Sequence, residues 1–220
     1  MTCVVGLLHG DKIYFGADTA ATSDWTLSQV QMRGHKVFQN GIYAIGGCGS
    51  IRLLQLLEHA LETGEPDWDN LEGYMATEFS NLVRHCLRTG GFLKRENHVE
   101  TFSEPGCFMV GVGEHLFTMY DNFGVIERAE PYEAVGCGED IALGSLHSTA
   151  GMDIDPQKRV EMALEASARY NAGVRAPFNF LVYDVPAFRK EVAIITSRVE
   201  PEFTGLQISD DEPKKKRAKK

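Results

Sequence analysis

Met1-Thr2-Cys3-Val4-Val5-Gly6 opens the chain, and Ile13-Tyr14-Phe15-Gly16-Ala17-Asp18 follows after the turn residues His9-Gly10-Asp11-Lys12. Two apolar runs rich in β-branched and aromatic residues, joined by turn residues, read as a hairpin. Removal of Met1 is expected, because methionine aminopeptidases act when the next side chain is small. Thr2 would then carry a free α-amine and a β-hydroxyl on one residue. A hydroxyl is a poor nucleophile until a base takes its proton, and an N-terminal amine can be that base. With a reference pKa of about 7.7–8.0, such an amine is poised for proton transfer near neutrality. Many chains begin Met-Thr, and an ordinary first strand would present the same residues. The surroundings therefore decide. Asp18 ends the second strand, where a carboxylate can reach back toward the start of the neighbouring strand.

Beyond Asp18, residues 19–34 lack periodicity and read as a loop with a short extended piece. Lys36-Val37-Phe38-Gln39, Asn40-Gly41 and Ile42-Tyr43-Ala44-Ile45 form a second hairpin pattern. Gly46-Gly47-Cys48-Gly49-Ser50 reads as a Gly-rich turn into a helix, with Leu53, Leu54, Leu57, Ala60 and Leu61 at helical spacing. Such a turn exposes backbone N–H groups that can hold an oxyanion; it also serves wherever positive φ is needed. Leu71, Tyr74, Met75, Phe79, Leu82, Val83 and Cys86 mark one stripe of a longer helix. Residues 90–106 read as a surface loop or irregular hairpin, and 107–113, 115–121 and 124–128 as strands. Ala134-Val135-Gly136-Cys137-Gly138 reads as a second Gly-rich turn, into a helix over 139–149. Asp153 or Asp155, before Pro156, starts a last helix that runs to about Tyr170. Residues 178–183 and 191–197 read as closing strands. Strand runs alternating with helix pairs predict an α+β fold, with two stacked sheets between two helical layers.

The 220 residues suffice for one domain, and the 43% hydrophobic and 24% charged fractions are those of an ordinary globular chain. The domain is expected over 1–198. Residues 199–220 carry no pattern and are expected to form a disordered tail ending in a basic run. Five scattered cysteines, Cys3, Cys48, Cys86, Cys107 and Cys137, form no CxxC. They suggest free thiols in a reducing, cytoplasmic setting. The seven histidines are dispersed without HxxxH or HExxH spacing, so neither a metal nor another cofactor is expected. No apolar run is long enough to span a bilayer, and the start lacks a basic n-region, so neither a membrane partner nor a secretory leader is expected. The last twelve residues sum to +3, so the rest carries −12 of the net −9. An acidic body argues against nucleic acid as a partner, except weakly through the tail. Pro213-Lys214-Lys215-Lys216-Arg217 would suit a nuclear-localisation signal or a solubilising tail.

The ordered set Thr2-Cys3-Val4-Val5-Gly6, Phe15-Gly16-Ala17-Asp18 with Thr19-Ala20-Ala21-Thr22, Lys36-Val37 and Ala44-Ile45-Gly46-Gly47 resembles the N-terminal third of proteasome β-type subunits and of the HslV peptidase. These are N-terminal-nucleophile (Ntn) threonine hydrolases. The resemblance is motif-specific over about the first sixty residues and architectural beyond them. It implies a four-layer αββα sandwich, with Thr2 as nucleophile and its amine as base. Asp18 stands for the carboxylate ending the second strand. Lys36 stands for the family lysine, after a slightly longer loop, with Arg33 as a substitute. Gly46 or Gly47 stands for the oxyanion-hole N–H. The small side chains of Ala21, Thr22, Ala44 and Cys48 are expected beside the substrate pocket. It also implies a homo-oligomeric ring enclosing the sites, a peptide or unfolded-protein substrate and an ATP-driven unfoldase as partner.

Two positions depart from the family pattern. Where the family often has Gly-Ser-Gly, this chain has Gly136-Cys137-Gly138, and Cys137 donates only weakly. Where the family has Asp and then Ser after the last long helix, Asn171 and Val174 stand here, and Asn171 is neutral. Two alternatives to a peptidase therefore stay open: a catalytically weak or inactive structural ring subunit, and an Ntn amidase acting on small molecules. A Cys3 nucleophile would require loss of two residues.

Overall fold

The computed structural model describes residues 1–23, 26 and 28–184. Strand β1 (Cys3–His9) serves two cores in alternation. Val4 packs with Phe15, Ala17, Val37 and Met109, whereas Cys3, Val5 and Leu7 pack with Val160, Ala163 and Leu164. Because successive strand residues face opposite ways, a strand that is apolar on both faces must lie in a covered sheet.

The remaining elements follow from that strand. They are β2 (Lys12–Asp18), β3 (Ala20–Thr22), β4 (Gln29–Gln31), β5 (Val37–Asn40), β6 (Tyr43–Cys48) and α1 (Ile51–His59). A 3-10 turn at Trp68–Asn70 enters α2 (Leu71–Tyr74), which continues through a π-helical stretch, Met75–Phe79, into α3 (Ser80–Thr89). Then come β7 (Leu93–Glu96), β8 (Val99–Phe102), β9 (Cys107–Val112), β10 (His115–Met119), β11 (Val125–Glu127) and β12 (Tyr132–Gly136). The helices α4 (Glu139–Ser148) and α5 (Pro156–Tyr170) precede β13 (Phe178–Asp184).

One sheet has the order β12-β1-β2-β13 and the other β11-β10-β9-β6-β5, all antiparallel. Val4, Phe15, Val37, Met109 and Leu116 fill the space between them. The five-stranded sheet packs Ile45, Phe108 and Val110 against Leu53, Leu57, Phe79 and Val83 of the first helical layer. The four-stranded sheet packs Val5 and Leu7 against Ala142, Leu146, Val160 and Leu164 of the second. This is the α+β, four-layer αββα sandwich that the sequence led us to expect.

Close approach of α5 depends on Gly16. A Cβ there would lie 2.6 Å from Val160 Cγ1 and 2.9 Å from Leu164 Cδ1. Overpacking of this kind costs about 1–3 kcal/mol. Gly16→Ala is therefore expected to lower Tm by roughly 2–12 °C, at about 2–4 °C per kcal/mol for a domain of this size. Differential scanning calorimetry checks it, and an unchanged Tm would mean that α5 is not seated on β2.

Several boundaries differ from expectation. Gly46, Gly47 and Cys48 are strand residues of β6, so the turn shrinks to Gly49-Ser50, and Ala60 lies past the end of α1. Ser50 caps that helix, its hydroxyl accepting from Arg52 N. The β5–β6 turn is Gly41-Ile42, with Gly41 at φ +59°. Asn40 instead remains in β5 and donates to the carbonyls of Leu57 and Leu61, tying down the end of α1. Residues 90–106 contain the β7–β8 hairpin, turned by Asn97 and His98 at positive φ. Residues 132–136, read in part as a turn, are β12, which edges the sheet beside β1. The stripe from Leu71 to Cys86 gains a π-helical turn, where the Ser80 hydroxyl donates to the Met75 carbonyl. The last helix begins with Asp155 as cap, its carboxylate accepting from Lys158 N. The expected strand 191–197 and the tail 199–220, with its basic run, lie outside the described residues. No helix among the described residues is long and apolar enough to cross a membrane.

Candidate active site

The β1–β2 register places Val4 opposite Ala17, so Asp18 comes level with Cys3 at the open end of the sandwich. There the Cys3 N–H donates to Asp18 Oδ1 at 3.0 Å, and the Ala20 N–H donates to Oδ2 at 3.1 Å. Lys36 Nζ donates to the same Oδ1 at 2.9 Å and to the Ala20 carbonyl at 2.6 Å. Asp18 is 1% exposed and Lys36 3%. A fully buried ion pair is expensive to assemble and is tolerated only with its hydrogen bonds satisfied, as these are. An ammonium has three donors, and the third has no partner among the described residues. Arg33, the substitute considered for this role, is exposed. Thr2, 5% exposed, sits directly before the backbone N–H that Asp18 binds. The structure thus brings Thr2, Asp18 and Lys36 together.

With Met1 present the Thr2 nitrogen is an amide, and the Thr2 hydroxyl donates to the Met1 carbonyl at 2.6 Å. The Thr2 N–H points to Cys137 Sγ at 3.3 Å, and the Cys137 thiol lies 3.3 Å from the Thr2 carbonyl and 3.4 Å from Asn171 Oδ1. Asn171 caps the end of α5. Its amide donates to the Cys137 carbonyl, and its oxygen accepts from Gly173 N at 2.8 Å. Cys137 and Asn171 therefore meet at the Thr2 nitrogen, Cys137 directly and Asn171 through it. Val174 contributes no polar group; it is buried in the core beneath α4 and α5. Burial pushes the Cys3 thiol up to about 12, which holds it protonated and removes it as a nucleophile.

Neither glycine expected to supply an oxyanion-hole N–H leaves that group at the end of a strand. The Gly47 N–H donates to the Lys36 carbonyl at 3.0 Å, so it is committed. Gly46 lies within β6, between Val37 on one side and Met109 on the other. Strand geometry repeats every second residue, so the Gly49 N–H is aimed as that of Gly47 is, but beyond the start of β5. It has no partner among the described residues. Gly49 has φ +105°, and a Cβ there would meet the Pro105 carbonyl oxygen at 2.5 Å. A donor freed by the end of a strand was not visible to a reading that placed all of 46–50 in one turn.

A cavity of about 520 Å3 joins Thr2 to Cys48, Gly49, Cys107, Gly136 and Cys137, with Asp121 and Glu139 also on its wall. Of the four expected pocket residues, Cys48 lines it. Ala44 does not: its side chain is wholly buried between the sheets, because even-numbered residues of β6 face that core. Ala21 and Thr22 lie on β3 and are half-buried, and the cavity of about 290 Å3 beside them is lined by Thr19, Ala20, Gln29 and Arg175 instead. No cluster of metal-ligating side chains occurs among the described residues.

No protein-family model matches the sequence, and no curated protein matches it. Solved structures do. BPH from Thiobacillus denitrificans, in complex with epoxomicin, superposes with a TM-score of 0.68 at 16% identity, over 83% of this chain and 98% of that one. HslV from Trypanosoma brucei gives 0.58 at 16% identity, over 82% and 98%. Anbu from Pseudomonas aeruginosa, described as a helical assembly, gives 0.56 at 14% identity, over 92% and 98%. At that identity the likeness speaks for the fold. The chain has the Ntn-hydrolase fold shared by the BPH, HslV and Anbu structures.

Proposed function

We propose that the chain is a threonine-type hydrolase that cleaves peptide bonds with Thr2, once Met1 is removed. The observation that carries this reading is the buried Lys36–Asp18 pair bonded to the backbone beside Thr2. In the processed chain the α-amine takes the hydroxyl proton, and the Thr2 oxygen attacks the scissile carbonyl. The Lys36 ammonium stabilises the developing charge on the nucleophile, and the Gly49 N–H receives the oxyanion. Asp18 orients Lys36 through the bond from Nζ to Oδ1. Cys137, held by Asn171, accepts from the Thr2 nitrogen and so orients the base. A homo-oligomeric ring enclosing the sites is part of the same reading; the helical assembly described for the Anbu neighbour supports self-association of this fold, and closure into a ring is the further step of the proposal. A peptide or unfolded-protein substrate, a partner unfoldase and a cytoplasmic site of action complete it.

The second reading is a structural ring subunit. The observations that favour it are the neutral Asn171 and the apolar Val174, which stand where the family has Asp and Ser; Val174 is buried and offers no polar group to the Thr2 nitrogen. Intact-mass spectrometry of the purified protein, with and without epoxomicin, separates the two. Loss of the Met1 mass followed by one adduct on Thr2 is expected. A chain that keeps Met1, or a free Thr2 that never labels in the assembled protein, would establish the structural reading instead.

A further inference from the structure

Cys48 ends β6, Cys107 begins β9, and the two are directly opposed in the antiparallel ladder. Opposed residues of such a pair hold their Cα atoms about 4.5–5.5 Å apart, within the roughly 4.4–6.8 Å that a disulfide spans. Their sulfurs stand 3.4 Å apart, and both are free thiols. The other buried cysteines are engaged elsewhere, Cys3 with Ser167 and Cys86 with the Leu56 carbonyl. Cys48 and Cys107 also line the cavity that holds Thr2 and Gly49, so a small solute entering the cavity meets them. Their acidities are split by their mutual hydrogen bond, which lowers the Cys48 pKa, while that bond and burial raise the Cys107 pKa. The thiol that ionises first thus has its resolving partner already in contact.

We propose that Cys48 and Cys107 form a redox-modification site, which hydrogen peroxide converts to a reversible disulfide at the wall of the Thr2 cavity. The Cys48 thiolate attacks the peroxide O–O bond, giving a sulfenic acid and releasing one equivalent of hydroxide, which is protonated to water. The Cys107 sulfur then attacks the Cys48 sulfur. It displaces the second hydroxide, which leaves as water with the Cys107 proton. Two thiols lose two electrons and two protons, and one peroxide becomes two waters. A dithiol reductant reverses the bond by exchange. The sulfurs must close from 3.4 Å to about 2.05 Å, which pulls on the end of β6, where Gly49 is the next residue. A misplacement of ~1 Å at a reacting centre can lower a rate by ~100-fold. This coupling to Thr2 rests on the proposed function, whereas the disulfide itself does not.

The full-length protein is treated with hydrogen peroxide, then denatured and alkylated with N-ethylmaleimide, and its intact mass is measured. The expected result is two fewer adducts than in the untreated protein, restored by dithiothreitol, with peptide mapping that joins Cys48 to Cys107. Cys107→Ser forms no disulfide. Complete alkylation of the treated wild type, or a mapped bond from either cysteine to Cys137, overturns the proposal. Epoxomicin labelling of Thr2 supplies the second readout. It is expected to slow by about 10- to 100-fold on oxidation of the wild type. Each protein is compared with its own reduced form, and peroxide causes no disulfide-dependent slowing in Cys107→Ser, whatever that variant's own rate. Labelling that does not slow in fully disulfide-bonded protein overturns the coupling. A reduced wild type that never labels refutes the proposed function and leaves the alkylation result to decide the disulfide.

Discussion

Lys36→Met is expected to destabilise the fold by about 3–5 kcal/mol and to slow epoxomicin labelling of Thr2 by on the order of 1000-fold. The stability loss follows from Asp18. It is 1% exposed, and its charge would be left with only the N–H groups of Cys3 and Ala20. At about 2–4 °C per kcal/mol the Tm should fall by roughly 6–20 °C. A fall in labelling alone would be ambiguous, since a loosened site also reacts slowly. The double substitution Asp18→Asn with Lys36→Met resolves this. It replaces a buried pair by neutral groups of similar size, so most of the lost stability should return. Labelling should not return, because no ammonium faces the nucleophile. Recovery of both in the double variant would make the pair a structural device and would sink the catalytic role of Lys36.

Thr2 and Asp18 flank strand ends that apolar runs and turn residues mark, whereas Lys36, and the weight placed on Thr2, came from the resemblance to a known family. The αββα layering was legible because strand runs alternate with helix pairs along the chain. What the sequence did not reveal depends on pairing rather than on pattern. Gly46 and Gly47 look like turn residues, yet the ladder to Val37 and Met109 keeps them in β6 and moves the free N–H to Gly49. Ala44 looks suited to a pocket because it is small, but the parity of β6 buries it between the sheets. The contact of Cys48 with Cys107 spans strands far apart in the chain, and no local spacing signals it. Asn171 was recognised only as a departure. Its work in holding Cys137 depends on the end of α5 meeting the β12–α4 turn.

Gly136→Ala is expected to slow Thr2 labelling by about 100-fold or more, through the backbone alone. Gly136 ends β12 opposite Cys3, with φ +101°. A Cβ there would lie 2.3 Å from the Thr2 carbonyl oxygen and 3.0 Å from its carbon, with Cys48 Cβ behind at 3.3 Å. The colliding atoms are backbone on one side and packed core on the other, so the contact is relieved only by moving Thr2. Positive φ adds strain of order 1–3 kcal/mol for a residue with a side chain. Strain and displacement are separable, because Gly10 offers a matched control. It also has positive φ, +60°, but a Cβ at Gly10 meets nothing within 4 Å. Gly10→Ala should therefore lose stability by a comparable strain while labelling at the wild-type rate. If the two variants label alike once matched for folded fraction, the position of the Thr2 carbonyl does not set reactivity. The close seating of β12 on the nucleophile would then be only a packing detail. If they differ as expected, Gly136 is required because the strand that edges the site must pass within a Cβ radius of the reacting residue.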